Sequence, residues 1–234
     1  QDARGRKMSK SLGNVLEANT ALEKCSADVF RFYALWKCSP VDPMSFDMRE
    51  LSKRPYQVLG TLYHLHRFFM QNAEYDRFDP PRHTLAWAQE HGVLKPADRW
   101  LLSRLQNIVA QYTDRLVSCE FNFACDELEK FVVDVLSREY VPMVRRDLWS
   151  DDPESLNRRL AVYATLWHAL RTLVLLLNPV SPFVCEFLWQ NVYRALNSGL
   201  AESVNFESWP LPVEDLRAEK LEQDLDLLLR VVAL

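Results

Sequence analysis

The sequence predicts an all-α fold, an antiparallel helix bundle preceded by a short N-terminal loop and a helical connector. Of its 234 residues, 48% are hydrophobic, which is enough to bury one substantial core. The chain has only five glycines, too few for the turns of a many-stranded β-sandwich or for the phosphate loops of a complete nucleotide-binding α/β domain. Long stretches repeat apolar residues every three or four positions, which is the period of a helix with one buried face.

Prolines mark the limits of the connector. Residues 28–37 are rich in aromatic side chains and predict a short helix that ends before Pro40, because the residue preceding a proline is disfavoured in the α region. Residues 40–45 then form a linker. The apolar spacing from residue 47 to about residue 75 predicts one long amphipathic helix, the first of the bundle.

The rest of the chain carries the same helical period, interrupted by turn residues. We expect helices at 96–119, at 122–149 with a bend at Pro142, from Pro153 to 177, from Pro182 to about 197, and from 213 to the end. A short helix is expected at 84–90 and an extended strip at 203–209. Residues 153–177 leave little polar face in their second half, so this helix should lie at the centre of the bundle.

Charge and cysteine content restrict the functional classes. The formal net charge of −4 argues against binding nucleic acid by bulk positive potential, so any RNA contact must be local. The five cysteines are odd in number and form no C-x-x-C pairs, so we expect reduced, mostly buried thiols in a cytoplasmic protein, and no metal site. The apolar run at 170–177 is shorter than the roughly 20 residues that span a bilayer, and no membrane partner is expected.

The chemistry is concentrated in a basic loop near the N-terminus. Lys7-Met8-Ser9-Lys10-Ser11 places two ammonium groups three residues apart, with hydroxyl groups beside them and Gly13 just beyond. Two mobile lysines that close over a triphosphate can neutralise the charge that develops on a leaving pyrophosphate. For an arbitrary K-x-x-K the alternative is a solvated basic linker, because short motifs arise easily by chance.

The complete pentapeptide K-M-S-K-S, followed by L-G-N at 12–14, resembles the second signature of class I aminoacyl-tRNA synthetases. The resemblance implies that residues 7–11 bind the phosphates of ATP, supplied with Mg, and that Lys10 and Lys7 act in formation of the aminoacyl-adenylate. It also implies that the bundle is the anticodon-binding domain of the class Ia enzymes.

Two further segments extend the resemblance. Ala27-Asp28-Val29-Phe30-Arg31 looks like the A-D-x-x-R segment of the isoleucine, leucine, valine and methionine enzymes, and we expect Asp28 and Arg31 to hold the join between the two parts. Residues 136–149, 178–188 and 203–210 look most like the isoleucine branch, although Arg138-Glu139 and Pro142 depart from its pattern. The resemblance therefore favours isoleucine tRNA as the partner and leaves valine, leucine and methionine enzymes as alternatives.

A cluster of arginines and aromatic residues is the candidate tRNA-binding site. Guanidinium groups seek phosphates, and aromatic rings accept an unstacked base. The alternative is that the aromatic residues are core and that the arginines pair with Glu139, Asp147 and Asp151. Arg158 and Arg159 are expected to be solvated. The candidate residues are Arg138, Tyr140, Arg145, Arg146 and Trp149.

The sequence thus predicts a piece of a larger protein. Residues 1–45 would be the end of a catalytic domain with its connector, and 46–234 the helical tRNA-binding domain. The first class I signature, H-x-G-H, is absent, so we expect the chain alone to be inactive and to need the upstream catalytic domain as its partner. An all-helical protein-interaction module with an incidental basic loop is the alternative from a different functional class.

Overall fold

The computed structural model describes residues 1–15, 17–150 and 152–232, and these residues form helices and connecting loops without any β-strand. The all-α prediction is confirmed. The α-helices are α1 (Ala18–Leu22), α2 (Ala27–Trp36), α3 (Met48–Leu51), α4 (Arg54–Tyr75), α5 (Leu85–Glu90), α6 (Pro96–Val117), α7 (Phe121–Lys130), α8 (Val141–Leu148), α9 (Leu156–Leu177), α10 (Pro182–Leu188), α11 (Arg194–Leu196) and α12 (Glu219–Val232). Two π-helical segments, Phe131–Tyr140 and Trp189–Tyr193, lead into α8 and α11.

Helix α9 lies at the centre of the bundle, as its apolar composition predicts. It contacts α4, α5, α6, α8 and α10, and its second half is buried almost completely. The helix is long and apolar enough to cross a membrane, but 83% of its most apolar window is buried among the other helices. Its hydrophobicity is therefore accounted for by packing in the core.

The predicted single helix from residue 47 to 75 is wrong, because the structure divides it into α3 and α4. Ser52 and Lys53 separate the two helices, and Pro55 lies in the first turn of α4. A proline has no N–H to donate and fits the first turn of a helix but not its interior. Pro55 therefore starts a new helix where the hydrophobic pattern alone indicated a continuous one.

The chain from α7 to α8 is helical throughout, as predicted, but it widens into a π-helix before Pro142. The Val141 N–H donates to the carbonyl of Leu136, five residues earlier. Pro142 then occupies the first turn of α8. The wider turns leave the ring of Pro142 without the carbonyl clash that it would meet inside a regular α-helix.

Residues 203–209 lie on the bundle, although they are not a fully extended strip. Val204–Phe206 forms one 3-10 turn. Glu186 of α10 accepts hydrogen bonds from the Ser203 hydroxyl at 2.8 Å and from the Val204 N–H at 3.1 Å. The Trp209 indole N–H donates to Thr113 of α6 at 2.9 Å, so the strip is attached at both ends.

Asp28 and Arg31 join the connector to the bundle, which confirms their predicted structural role. The carboxylate of Asp28 accepts the N–H of Val184, in the first turn of α10, at 2.6 Å. Arg31 donates to the carbonyls of Val180 and Pro179 at 2.9 and 3.0 Å. Both side chains thus reach the α9–α10 turn, and α2 shares one hydrophobic core with the bundle. The boundary predicted at residue 45 stays a prediction.

Candidate functional site

The basic loop at residues 7–11 presents both of its lysines to solvent. Lys7 and Lys10 are exposed, and no acidic side chain of the described residues forms an ion pair with either. Met8 is partly buried against the hydrophobic core. The loop is therefore anchored by one apolar side chain, while its two ammonium groups remain available for an anionic ligand.

A tight turn gives this loop its shape. Lys10–Leu12 forms one 3-10 turn, and Gly13 follows with a φ of 63°, in the left-handed region that glycine adopts without strain. The hydroxyl groups of Ser9 and Ser11 lie 2.7 Å apart and share a hydrogen bond. The turn thus places Ser9, Lys10 and Ser11 together on an exposed surface.

Three of the predicted RNA-binding residues, Arg145, Arg146 and Trp149, lie together on the surface at the C-terminal end of α8. The guanidinium of Arg145 lies over the ring of Trp149 at 5.3 Å from its centre, and Trp149 is 64% exposed. Arg146 is exposed beside them, and the structure shows no ion pair between either of these two arginines and a described acidic residue. An exposed indole can stack on a base, and two arginines without a described acidic partner beside it can bind a phosphate.

Arg138 lies in the π-helical segment that precedes α8 and forms one solvent-exposed ion pair. It pairs with Asp134 at 2.7 Å, but both side chains are about half exposed or more. Such surface pairs contribute little stability, so a phosphate could replace Asp134. The predicted alternative pairing of the arginines with Glu139 and Asp147 is not seen, and Asp151 lies outside the described residues.

Tyr140 is not part of this surface, so its prediction as a tRNA-binding residue is wrong. Its side chain is fully buried, and its hydroxyl donates to the carboxylate of Asp98 at 2.7 Å. Burial raises the pKa of the Tyr140 hydroxyl well above its ordinary value. No ring face is open to a base, because the core covers the tyrosine on all sides.

The prediction that Arg158 is solvated is also wrong. Its guanidinium donates to the fully buried carboxylate of Asp98 at 2.6 Å and to Asp147 of α8 at 2.8 Å. Lys95 pairs with the other oxygen of Asp147 at 2.7 Å. These contacts cross-link α6, α8 and α9, and they fix the inner side of the helix that carries Arg145 on its outer side.

Arg159 is buried, which is also against the prediction. It donates two hydrogen bonds to Asp76, at the end of α4, at 2.7 and 2.9 Å, and a third to the carbonyl of Ser150 at 2.7 Å. Tyr163 donates to the same carboxylate at 2.7 Å. A buried charge is tolerated only when it is paired and hydrogen-bonded, and both conditions are met here.

A second aromatic surface lies between α4 and α10 and was not predicted from the sequence. Tyr63 and Phe187 line a groove of about 260 Å³, with ring centres 6.4 Å apart. Arg67 and Asn191 are exposed at its rim. Tyr63 and Arg67 are four residues apart on α4 and lie outside its buried stripe. An aromatic residue and a cation at this spacing on a solvent-facing side of a helix are the sequence signal that could have indicated this surface.

Metal ligands and thiols give no further site among the described residues. No group of three His, Cys, Asp or Glu side chains there is arranged to hold a metal ion. Cys125 and Cys185 are buried, and burial raises the pKa of the Cys125 thiol to about 12. Cys25 and Cys38 are partly buried and Cys119 is exposed, so the prediction of mostly buried cysteines holds for only two of the five.

Two family models match the chain. Residues 98–234 match the anticodon-binding domain of tRNA ligase, and residues 1–47 match the class I tRNA synthetases for isoleucine, leucine, methionine and valine. The chain is 36% identical to the isoleucine–tRNA ligase of Methanothermobacter marburgensis over 233 residues, which are 99% of the chain and 21% of that enzyme. It is 39% identical to that of Methanopyrus kandleri over 228 residues, 97% of the chain and 20% of the enzyme. The chain thus spans about a fifth of the length of these relatives.

Solved structures show the same fold. A leucyl-tRNA synthetase of Agrobacterium radiobacter, in a ternary complex with tRNA and LeuAMS, superposes with a TM-score of 0.64 at 25% identity, over 93% of the chain and 23% of that enzyme. The methionyl-tRNA synthetase of Mycobacterium tuberculosis, in complex with methionyl-adenylate, gives a TM-score of 0.65 at 18% identity, over 90% of the chain and 41% of that enzyme. At 18% identity the second likeness concerns the fold alone.

Proposed function

We propose, from the premise that this chain belongs to the class I aminoacyl-tRNA synthetases and carries their anticodon-binding domain, that the full-length protein is an isoleucine–tRNA ligase. It would join isoleucine to its tRNA through an aminoacyl-adenylate, at the expense of ATP, in the cytoplasm. The choice of isoleucine is supported by relatives of that name at 33–39% identity. Within the chain, the observation that carries the proposal is the loop with two exposed lysines, Lys7 and Lys10, free of acidic partners among the described residues.

The loop would act on the phosphates of ATP. In adenylate formation the amino-acid carboxylate attacks the α-phosphorus and pyrophosphate leaves with additional negative charge. Lys7 and Lys10 would bind the departing phosphates, with the hydroxyl groups of Ser9 and Ser11 and the backbone at Met8 lining the same loop. Enzymes of this family use ATP with Mg²⁺, which when bound shares the neutralisation of the phosphates.

The bundle would hold the tRNA through local contacts, because the net charge of the chain is negative. On α8, Arg145 and Arg146 would bind phosphates and Trp149 would stack on an unpaired base, while Arg138 could exchange Asp134 for a phosphate. The groove with Tyr63, Arg67 and Phe187 offers a second place with the same combination of ring faces and a cation. Tyr140 has no direct role in this proposal.

The test of the proposal is the variant Lys10→Ala in the full-length protein. Isoleucine-dependent exchange of pyrophosphate into ATP should slow by about a hundredfold or more, because the lost charge acts on the leaving group. The affinity for tRNA should stay within a factor of two. An unchanged exchange rate would contradict the role of the loop, and exchange that depends on valine, leucine or methionine instead would reassign the amino acid.

A further inference from the structure

The side chain of Asn14 joins the two ends of the basic loop. Its amide oxygen accepts the backbone N–H of Ser9 at 2.9 Å, and its amide nitrogen donates to the carbonyl of Lys7 at 3.1 Å. One side chain therefore holds the backbone on both sides of Met8. The backbone of Lys7 carries no other hydrogen bond among those of the described residues, so this amide fixes the place where the first lysine leaves the backbone.

Asp2 holds Asn14 in this orientation. The carboxylate of Asp2 accepts the second hydrogen of the Asn14 amide at 3.1 Å. The same carboxylate accepts the backbone N–H groups of Arg4 and Arg6 at 3.0 and 2.9 Å, and the Arg6 side chain at 2.9 Å. Because the carboxylate can only accept, it specifies which end of the Asn14 amide is nitrogen. The hydrogen bonds from the Arg6 backbone and from Asn14 hold the pKa of Asp2 well below its ordinary value, so it stays ionised.

The lysines themselves take no part in this network. Lys7 and Lys10 contribute only backbone atoms to the loop, and their side chains point into solvent without an acidic partner among the described residues. The structure thus separates two tasks within fourteen residues. Asp2 and Asn14 shape the backbone, and the lysines supply the charge. A site that acts by the placement of charge needs the groups that contact the ligand to be held in position by such supporting hydrogen bonds.

We propose that Asn14 and Asp2 are positioning residues for adenylate formation, which set the distance between Lys7 and Lys10 through the hydrogen bonds of Asn14 to Ser9 and Lys7. The proposal rests on the proposed function of the loop. It assigns a role to two residues that do not touch the phosphates. Their loss should affect ATP and its leaving group, and it should leave isoleucine and tRNA binding unchanged.

The first variant to make in the full-length protein is Asn14→Ala. In pyrophosphate exchange we expect kcat/KM for ATP to fall by about tenfold to a hundredfold, because misplacement of a charged group by about 1 Å costs up to that factor. The KM for isoleucine, the affinity for tRNA and the midpoint of thermal unfolding should not change. Asn19→Ala is the matched control, since the Asn19 side chain is exposed and makes no hydrogen bond with the residues that the structure describes.

A pair of charge variants tests the orientation of the amide. Asn14→Asp would place two carboxylates 3.1 Å apart at the present Asn14–Asp2 hydrogen bond, and should slow exchange more than Asn14→Ala does. The double variant Asp2→Asn with Asn14→Asp restores one donor and one acceptor between these two positions, but position 14 then has no donor for the carbonyl of Lys7. It should therefore recover only the additional loss of Asn14→Asp and reach the rate of Asn14→Ala. Recovery of the unchanged rate would show that the hydrogen bond to Lys7 does not place the lysine, and would overturn the proposal.

The outcomes separate this inference from the function on which it rests. If Lys10→Ala slows exchange and Asn14→Ala does not, the positioning role is overturned and the loop keeps its function. If neither variant slows exchange, the proposed function of the loop fails first. If Asn14→Ala raises the KM for isoleucine equally or lowers the unfolding midpoint, the effect is general damage and the proposal is overturned.

Discussion

Two arginine pairs, close in sequence, have opposite environments in this molecule. Arg145-Arg146 on α8 and Arg158-Arg159 at the start of α9 are the same dipeptide. The first pair is exposed without a described acidic partner. In the second pair, Arg159 is buried on Asp76, while Arg158, with 11% of its side chain exposed, pairs with Asp98 and Asp147. The comparison teaches that an arginine is available to a ligand where the fold brings no buried carboxylate to it. The first pair is available to a ligand, and the second pair stabilises the fold.

The largest expected effect is on stability, from Arg158→Ala. The change leaves Asp98 unpaired, and its side chain is 0% exposed. Removal of one partner of a buried ion pair costs about 3–5 kcal/mol. The free energy of unfolding, measured in urea, should fall by that amount. Arg145→Ala is the matched control and should change it by less than about 0.5 kcal/mol. Equal effects of the two variants would contradict the comparison.

A buried histidine should make the free energy of unfolding depend on pH, with a change of similar size. The Nδ1–H of His66 donates to the carbonyl of Leu62 at 2.8 Å, and the Nε2 of the neutral ring accepts the hydroxyl of Tyr193 at 2.7 Å. Burial lowers the pKa of His66 from 6.5 to about 4. Above pH 6.5 both the folded and the unfolded chain hold it neutral, so its contribution to stability is complete. Between pH 6.5 and 4 only the unfolded chain binds the proton, and the free energy of unfolding falls by a total of about 3 kcal/mol.

The measurement for His66 is a series of urea titrations between pH 7 and pH 4. His66→Gln should give a shallower loss of stability with acid than the unchanged chain, since the variant lacks the titrating group. Burial lowers the pKa of His168 to about 4 as well, so part of the loss should remain in the variant. Identical slopes for both proteins would show that His66 is protonated in the folded state.

Changes at the exposed surface of Arg145, Arg146 and Trp149 should have an intermediate effect, on the affinity for RNA and not on the stability of the fold. Arg145→Ala should weaken binding of isoleucine tRNA and reduce the slope of log K against log salt by about one, the value for one lost phosphate contact. Trp149→Ala should cost about 1–3 kcal/mol of binding, the range for loss of one stacked base. Fluorescence anisotropy at several salt concentrations measures both. Arg82→Ala, an exposed arginine outside α8, is the control and should leave the slope unchanged.

The smallest expected effect comes from a helix end. The chain leaves α6 through Cys119, whose φ of 58° lies in the left-handed region, and the N–H of Glu120 closes the turn on the carbonyl of Arg115. The equivalent residue after α5 is a glycine, Gly92. A side chain in this conformation costs about 1 kcal/mol, partly offset by the flexibility of glycine in the unfolded chain. Cys119→Gly should therefore raise the free energy of unfolding by about 0.5 kcal/mol, and a decrease would contradict this reading of the turn.

The sequence was sufficient for most features that depend on neighbouring residues. The apolar period predicted α6 and the central α9, and the aromatic connector helix was placed within one residue of its observed start and end. The pentapeptide beginning at Lys7 identified the loop, because its residues are contiguous. The prediction of one helix from 47 to 75 did not take Pro55 into account, because the hydrophobic stripe continues across the break at this proline.

The errors arose where the partner is distant in the chain. Tyr140 and Arg158 both reach Asp98, which is 42 and 60 residues away. An interpretation that pairs charges at helical spacing cannot detect such contacts, so a buried arginine and a surface arginine look alike in the sequence. The groove at Tyr63 and Phe187 was missed for the same reason, because it exists only when α4 and α10 pack together.

The central claim is that this bundle reads tRNA through a local basic and aromatic surface. The most direct measurement is a titration of the chain with isoleucine tRNA, and with the same tRNA altered in its anticodon, at two salt concentrations. The account predicts binding that weakens with salt, prefers the unaltered anticodon and is reduced in Trp149→Ala. Absence of binding at both salt concentrations, or binding that Trp149→Ala and Arg145→Ala leave unchanged, would contradict it.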